Sequence, residues 1–413
     1  MSVSPISGWG VKRLKYAASI NDEALPESTS PGFELQYIDI GNVDSNGAIH
    51  DIVTYAFENA PSRARRIVKH GDVIISTVRT YLQAIAAIEN PPESLIVSTG
   101  FAVVRPNTSL HPRFCKYALR EPSFLHEVIS RSFGISYPAI NASELGDIRI
   151  PLPSFDQQEQ VADFLDRETA RIDSLLAAKE NHLTLIAEKR RALITTAVTR
   201  SIDPTVLLKE SGIPWLGPVP EHWEIERAKW LFKERDIRSE FGDEEMLTVS
   251  HITGVTTRAE KSVNMFMAEN QEGSKICEAG DLVINTLWAW MGAMGVSPQR
   301  GIVSPAYNVY EPGDRLDKAY LDYLVRMPVF AQEAIRYSKG VWSSRLRLYP
   351  EGLYEIWLPV PPVEEQRAIA EHLNTETAKL DALKAATERT IALLRERRSA
   401  LIAAAVTGGM PII

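Results

Sequence analysis

Cysteine is almost absent from the 413-residue chain: Cys115 and Cys277 stand far apart, with no metal-ligand spacing around either. That excludes a disulfide framework and fits a reducing, cytoplasmic setting. Long apolar runs are missing too; nothing approaches the roughly 20 consecutive apolar residues that a membrane helix needs. Met1 to Gly10 holds no basic stretch leading into an apolar one, so no secretory leader is expected. No G-x-x-x-x-G-K-[ST] loop occurs, which excludes an ATP-driven translocase of that class, and no G-x-G-x-x-G follows a strand-like run. The eight histidines are scattered, none in H-E-x-x-H or at zinc spacing beside a cysteine. Neither a metal nor a cofactor is therefore expected. What remains is ordinary globular composition, 45% hydrophobic and 24% charged, long enough for two to four domains. The net charge of −8 argues mildly against nucleic acid as a partner, although a local basic face can coexist with an acidic remainder.

The chain repeats itself. Residues 150–200 align without a gap on 358–408 at a constant offset of 208. The matches include Pro151/Pro359, Gln158/Gln366, Leu165/Leu373, Thr169/Thr377, Asp173/Asp381, Arg190/Arg398 and Thr199/Thr407. The preceding segments correspond more loosely. Trp9-Gly-Val-Lys-Arg13 answers Trp223-Glu-Ile-Glu-Arg227, and Gly71-Asp-Val-Ile-Ile-Ser-Thr77 answers Gly280-Asp-Leu-Val-Ile-Asn-Thr286. The chain is a tandem duplication of a variable unit followed by a near-constant one.

The near-constant units read as long helices of about forty residues, hence about 60 Å each at 1.5 Å per residue. Leu165, Ile172, Leu176, Leu183, Ile186 and Leu193 form a narrow coiled-coil-like seam, matched by Leu373, Leu380, Ile391, Leu394 and Leu401. Ser154 with Gln157 makes a capping box at the first start, where the second copy has Pro362. Two matching seams in one chain most simply pack on each other. The variable units look mixed α/β: Asp72-Val-Ile-Ile-Ser76, Asp281-Leu-Val-Ile-Asn285 and Phe101–Arg105 read as strands, and Arg113–Ile129 and Lys318–Tyr337 have helical spacing. Asp203–Trp223, with four prolines, reads as a linker strung along the surface. The expected boundaries are a variable unit at 1–152, a helix at 153–200, a linker at 201–223, a second variable unit at 224–358 and a second helix at 359–408.

The search for chemistry yields little. Asn90-Pro91-Pro92-Glu93 resembles the Asn-Pro-Pro-aromatic loop of amino-methyltransferases, but Glu93 stands where an aromatic would stack on the base, and no glycine-rich cofactor loop precedes it. A turn is the simpler reading. Polar and aromatic side chains do cluster at corresponding places. The first unit offers Arg63, Arg65, Arg66, Lys69 and His70, then Ser76, Thr77, Arg79 and Tyr81, then Ser136, Tyr137 and Asn141. The second offers Asn285, Thr286, Trp288 and Trp290, then Trp342, Ser343, Ser344, Arg345 and Arg347. Arginine reads guanine edges, asparagine reads adenine, and hydroxyls take phosphates. Singly, each fits a solvated charge or a buried aromatic; as a set, at equivalent places in two divergent copies, they favour a binding surface, for which DNA contact is the expectation.

Over essentially its full length the sequence resembles the specificity subunits of Type I restriction-modification systems. The resemblance rests on Ile150-Pro-Leu-Pro153 leading to Gln157-Gln-Glu-Gln160, and on Leu358-Pro-Val-Pro-Pro362 leading to Glu364-Glu-Gln366. It rests also on Ser211-Gly-Ile-Pro-Trp-Leu-Gly217 through Pro220-Glu-His-Trp223, and on the paired Ala197-Val-Thr199 and Ala405-Val-Thr-Gly408. The first unit keeps only a shortened linker motif at Gly8-Trp-Gly10. The resemblance implies an α/β fold: two mixed α/β target-recognition domains separated by an antiparallel pair of long helices, with an internal pseudo-twofold repeat. It implies a non-catalytic subunit that reads a bipartite, asymmetric double-stranded DNA site. Two modification (methyltransferase) subunits, carrying S-adenosylmethionine, would dock on the helices, and restriction (translocase and nuclease) subunits would join them. The competing readings are a DNA methyltransferase or nuclease with unrecognised motifs, and a coiled-coil scaffold that never touches DNA.

Overall fold

The chain, described by a computed structural model over residues 9–258, 271–340 and 346–411, divides into two compact units. One comprises Met1–Glu180 with Arg389–Ile413, the other Asn181–Glu388. Each unit thus contains an α/β part and a portion of both long helices, Phe155–Arg200 and Val363–Val406.

In the first unit, strands Ala18–Ile20, Phe101–Pro106, Val73–Ser76 and Ile85–Ala87 form an antiparallel sheet in that order. Its central run is apolar at every position because both faces are covered. Val73 and Ile75 pack with Phe114, Tyr117, Leu165 and Ile402, whereas Ile74 packs with Ile38 and Val97 of a second sheet. That second sheet runs Val53–Ala56, Glu34–Ile38, Leu95–Ser98, Ala64–Ile67, and its central pair is parallel.

The second unit repeats this plan. Phe232–Glu234, Asn308–Pro312, Leu282–Ile284 and Met294–Val296 form the first sheet. Leu282 and Ile284 face one core while Val283 faces the other. The pairs Leu247–Ser250/Gly254–Thr257 and Lys275–Cys277/Gly301–Val303 are joined by one parallel bridge, Met246 to Ile302, which reproduces the parallel centre of the first unit's second sheet. In both units the frame closes with an antiparallel pair, Gly10–Arg13 with Arg149–Leu152 and Glu224–Arg227 with Trp357–Val360.

Two repeat matches acquire physical reasons. Gln158 is fully buried; its Oε1 accepts the His111 N–H at 2.8 Å, and its Nε2 donates to the Ser109 and Pro153 carbonyls at 3.0 and 2.9 Å. Gln366 does the same with the Asp317 N–H and the Arg315 and Pro361 carbonyls, at 2.7, 2.8 and 2.8 Å. The aspartates of the Gly-Asp pairs are buried, and each accepts the backbone N–H three residues earlier, from Lys69 and from Glu278. Their counter-charges come from different places: Arg105 grips Asp72 through two bonds, whereas Arg235 pairs with Asp281 at 2.7 Å. The position that holds Arg105 in one copy holds Glu311 in the other, so the copies diverge while each buried charge stays paired.

Within each unit the two long helices pack antiparallel. Asp173 meets Arg398 in the first unit, and Arg190 meets Asp381 in the second, each a cross-pairing of two repeat matches. Leu165, Ile172, Leu176 and Ile186 of the expected seam are buried, as are Leu373, Leu380 and Ile391; Leu183, Leu193, Leu394 and Leu401 are half-buried. The capping box at Ser154 is present, with Gln157 reaching back to the Ser154 N–H at 3.2 Å.

Two expectations need correction. Arg113–Ile129 and Lys318–Tyr337 are not single helices: each breaks before a proline, giving Pro112–Ala118 with Pro122–Ser130, and Lys318–Val325 with Pro328–Arg336. Proline pushes the residue before it into extended backbone, as at Glu121 and Met327, and then opens the next helix. The linker is not strung loosely along the surface either. Leu208–Glu210 pairs with Pro218–Pro220, and Leu216, Val219 and Trp223 are buried, with the Trp223 indole donating to Glu365 at 3.1 Å.

Candidate nucleic-acid interface

Part of each set of polar residues comes together at one place in its unit, where the chain leaves the central strand of the first sheet. In the first unit Thr77 is clamped to Gly100, with both its N–H and its hydroxyl donating to that carbonyl at 2.8 Å. A single helical turn follows, Thr80–Leu82, closed by Gln83 in the left-handed conformation. A hairpin over 133–139 lies against this turn. Phe133 and Ala139 exchange backbone bonds at 2.9 Å, the Arg79 N–H donates to the Pro138 carbonyl, and the Ile140 N–H donates to the Thr77 carbonyl. The Arg79 guanidinium sits 4.8 Å above the Tyr137 ring.

The second unit builds the same frame from other side chains. The Thr286 hydroxyl donates to the Ala306 carbonyl at 2.8 Å, and the turn Ala289–Met291 is closed by left-handed Gly292. Lys339 and Arg347 exchange backbone bonds at 3.0 Å, in the register of Phe133 and Ala139, and the Leu348 N–H reaches the Thr286 carbonyl. Trp288 and Trp290 occupy the places of Arg79 and Tyr81 and stack with their planes 16° apart. Trp288 is half-exposed, while the Trp290 indole donates to the Leu287 carbonyl at 3.0 Å.

The candidate residues thus sort by exposure. Arg63, Arg79, Tyr81, Ser136, Tyr137, Trp288 and Arg347 face solvent at these loops, and Arg63, Arg79 and Arg347 make no ion pair among the described residues. Arg63 lies on the same edge, its carbonyl receiving the N–H of Thr99 beside Gly100. Ser76, Asn285 and Thr286 are buried, and the hydroxyls of Ser76, Thr77 and Thr286 bond backbone carbonyls; they build the loops and do not present a polar edge. Asn285 donates to the Tyr307 hydroxyl at 2.9 Å, and burial raises that phenol's pKa above its usual value. Asn141 caps the helix Ala142–Asp147. Arg65 stacks over Phe57, Arg66 is half-buried within its strand, Lys69 pairs with Glu23, and the His70 ring accepts the Asn90 N–H. Trp342, Ser343, Ser344 and Arg345 lie outside the described residues. At the first unit's loops Phe133, Ile135 and Leu82 are also exposed, apolar side chains with none of the polarity that marks a DNA contact in a sequence.

A family model, the Type I restriction modification DNA specificity domain, matches residues 7–185. The likeness to this family thus lies in residues 7–185, somewhat less than half of the chain. The Type I restriction enzyme MjaVIII specificity subunit of Methanocaldococcus jannaschii is 22% identical over 68% of this chain and 67% of its own length. Among solved structures, a chain from work on complex assembly and conformational transition of the type I R-M system superposes with a TM-score of 0.77 at 22% identity, covering 99% of this chain and 100% of that one. The HsdS subunit from Thermoanaerobacter tengcongensis gives 0.57 at 22% identity, over 99% of each chain. The likeness to these solved structures extends over nearly the whole chain, so the second unit shares their fold as the first does. Among the described residues no helix is long and apolar enough to cross a membrane, and no group of three or more His, Cys, Asp or Glu is placed to hold a metal ion.

Proposed function

We propose that this chain is the DNA-recognition subunit of a Type I restriction-modification enzyme, reading one half of an asymmetric bipartite site with each unit and performing no chemistry itself. The observation that carries the reading is the pair of loop frames: clamp, turn and hairpin are kept, while the outward side chains differ. Arg79, Tyr81, Ser136 and Tyr137 face outward in one, and Trp288 and Arg347 in the other. A kept frame with changed faces suits two readers of different sequences, since base edges in the groove demand particular side chains while the backbone fixes their placement. We assign the target-recognition domains to 1–152 and 224–358, with Arg63 adding phosphate contact. The paired helices, alike in both copies, suit an invariant partner; we assign them to two modification subunits, which supply methyl transfer and share the phosphate contacts that a net charge of −8 leaves short. Restriction subunits would join that cytoplasmic assembly.

The test is replacement of residues 224–350 by the corresponding part of a relative, followed by genome-wide mapping of methylated adenines. One half-site is expected to change and the other to persist. Simultaneous change of both would mean joint reading and would sink the two-reader assignment.

A further inference from the structure

The loop frame of the first unit carries an apolar face that nothing in the assignment above requires. Ile135 is 103% exposed at the tip of the hairpin, Phe133 73% and Tyr137 64%, and Tyr81 and Leu82 are exposed on the adjoining turn. Turns are ordinarily polar, and a contiguous apolar patch in water marks a contact surface. This patch is held in place. Gly134, at φ 115, closes the hairpin; Phe133 and Ala139 pair through backbone; Arg79 covers Tyr137; and the Thr80 and Ser132 hydroxyls bond at 2.9 Å. Holding the side chains in advance lowers the entropy lost when they bind. Its neighbours Arg63 and Arg79 have no carboxylate partner among the described residues, so the ligand that covers the apolar face also brings negative charge. In DNA the apolar group that stands in the major groove beside phosphates is the C5-methyl of thymine. The second unit differs here: Lys339 and Arg347 stand at the positions of Phe133 and Ala139.

We infer that Phe133, Ile135 and Tyr137, with Tyr81 and Leu82, form a thymine-methyl reader, so that the first unit's half-site is recognised partly through apolar contact. The inference rests on the function proposed above and adds to it the chemistry of one half-site.

The experiment uses the full chain with its modification subunits and synthetic duplexes of the mapped site. The first unit's half-site is the one that survives replacement of 224–350. Uracil in place of each thymine removes only the methyl, leaving every hydrogen bond intact. Binding is expected to weaken about fourfold for each contacted methyl in that half-site, and not in the other. Ile135→Ser, at an exposed position, should bind thymine and uracil duplexes alike. Equal binding of both duplexes by the native chain overturns the inference, as does undiminished discrimination by Ile135→Ser. A rise in 2-aminopurine fluorescence at this half-site without a uracil effect would overturn it in favour of an apolar wedge between bases. Failure of the underlying function is separate: no bipartite methylated site would then depend on the chain.

Discussion

Gln158→Leu is expected to destabilise the first unit by about 3 kcal/mol, and Gln366→Leu the second by a similar amount. Leucine fills nearly the same volume, so the change isolates hydrogen bonding from packing. In the first unit it strands the His111 N–H and the Ser109 and Pro153 carbonyls around a fully buried side chain. Each stranded group costs roughly 1–3 kcal/mol when water cannot replace the lost partner. Gln158→Glu should be worse than leucine at neutral pH: it keeps an acceptor for His111 but turns carboxylate oxygens toward two carbonyls. Urea unfolding gives the size, and hydrogen exchange at the His111 amide gives the place. A loss under about 1 kcal/mol would mean that water or a shifted backbone satisfies the three groups.

That glutamine illustrates how far the sequence could be read. The repeat identified it as shared by both copies, but its partners are backbone atoms 47 and 49 residues away, which carry no side-chain signature. The central strands of the first sheets are legible as unbroken apolar runs after a Gly-Asp pair, and the helix seams because their apolar residues fall at a fixed period. The second sheets were not. Their parallel centre pairs Glu34–Ile38 with Leu95–Ser98, segments some sixty residues apart with no periodicity linking them. The prolines act in opposite directions: Pro122 and Pro328 break runs of helical spacing, while those of 203–223 accompany a folded strand pair and a buried tryptophan. At the candidate interface, correspondence between copies finds the segments that build the loop frames, but it does not separate the side chains that face solvent from those that hold the loops together. Thr77 and Thr286 match because both hydroxyls clamp the neighbouring chain, so conservation of type there reports construction, whereas Arg79 and Trp288 differ at one place and face solvent.

The other large effect is expected at a glycine. Gly47→Ala should cost the first unit about 4 kcal/mol, and Gly254→Ala, its counterpart, only about 1 kcal/mol, the left-handed penalty alone. Both glycines have positive φ, 86° and 69°, in turns that receive an arginine from the end of a short helix. Arg120 donates to the Asn46 and Ile85 carbonyls; Arg326 donates to the Ile252 carbonyl at 2.9 Å and pairs with Asp322 at 3.0 Å. A methyl on Gly47 would lie 1.8 Å from the Arg120 guanidinium and 2.4 Å from the Ile85 carbonyl oxygen, a backbone atom that cannot swing aside. On Gly254 it would meet only the Arg326 side chain, at 3.3 Å. Burial, with Arg398 nearby, brings the Arg120 pKa down to about 10, so the group is charged at neutral pH and its two bonds are charge-assisted. Expelling it forfeits bonds of roughly 1.5–3 kcal/mol each on top of the backbone cost. Arg120→Met separates these contributions, since it removes the bonds and leaves the glycine. If displacement of the arginine is what the methyl does, the double variant Gly47→Ala/Arg120→Met should be worse than Arg120→Met only by the left-handed penalty of about 1 kcal/mol, a coupling of about 3 kcal/mol in a double-mutant cycle. Additive losses in urea unfolding would place the strain at Ile85 instead, and equal costs at Gly47 and Gly254 would show that neither turn is tightened by its arginine.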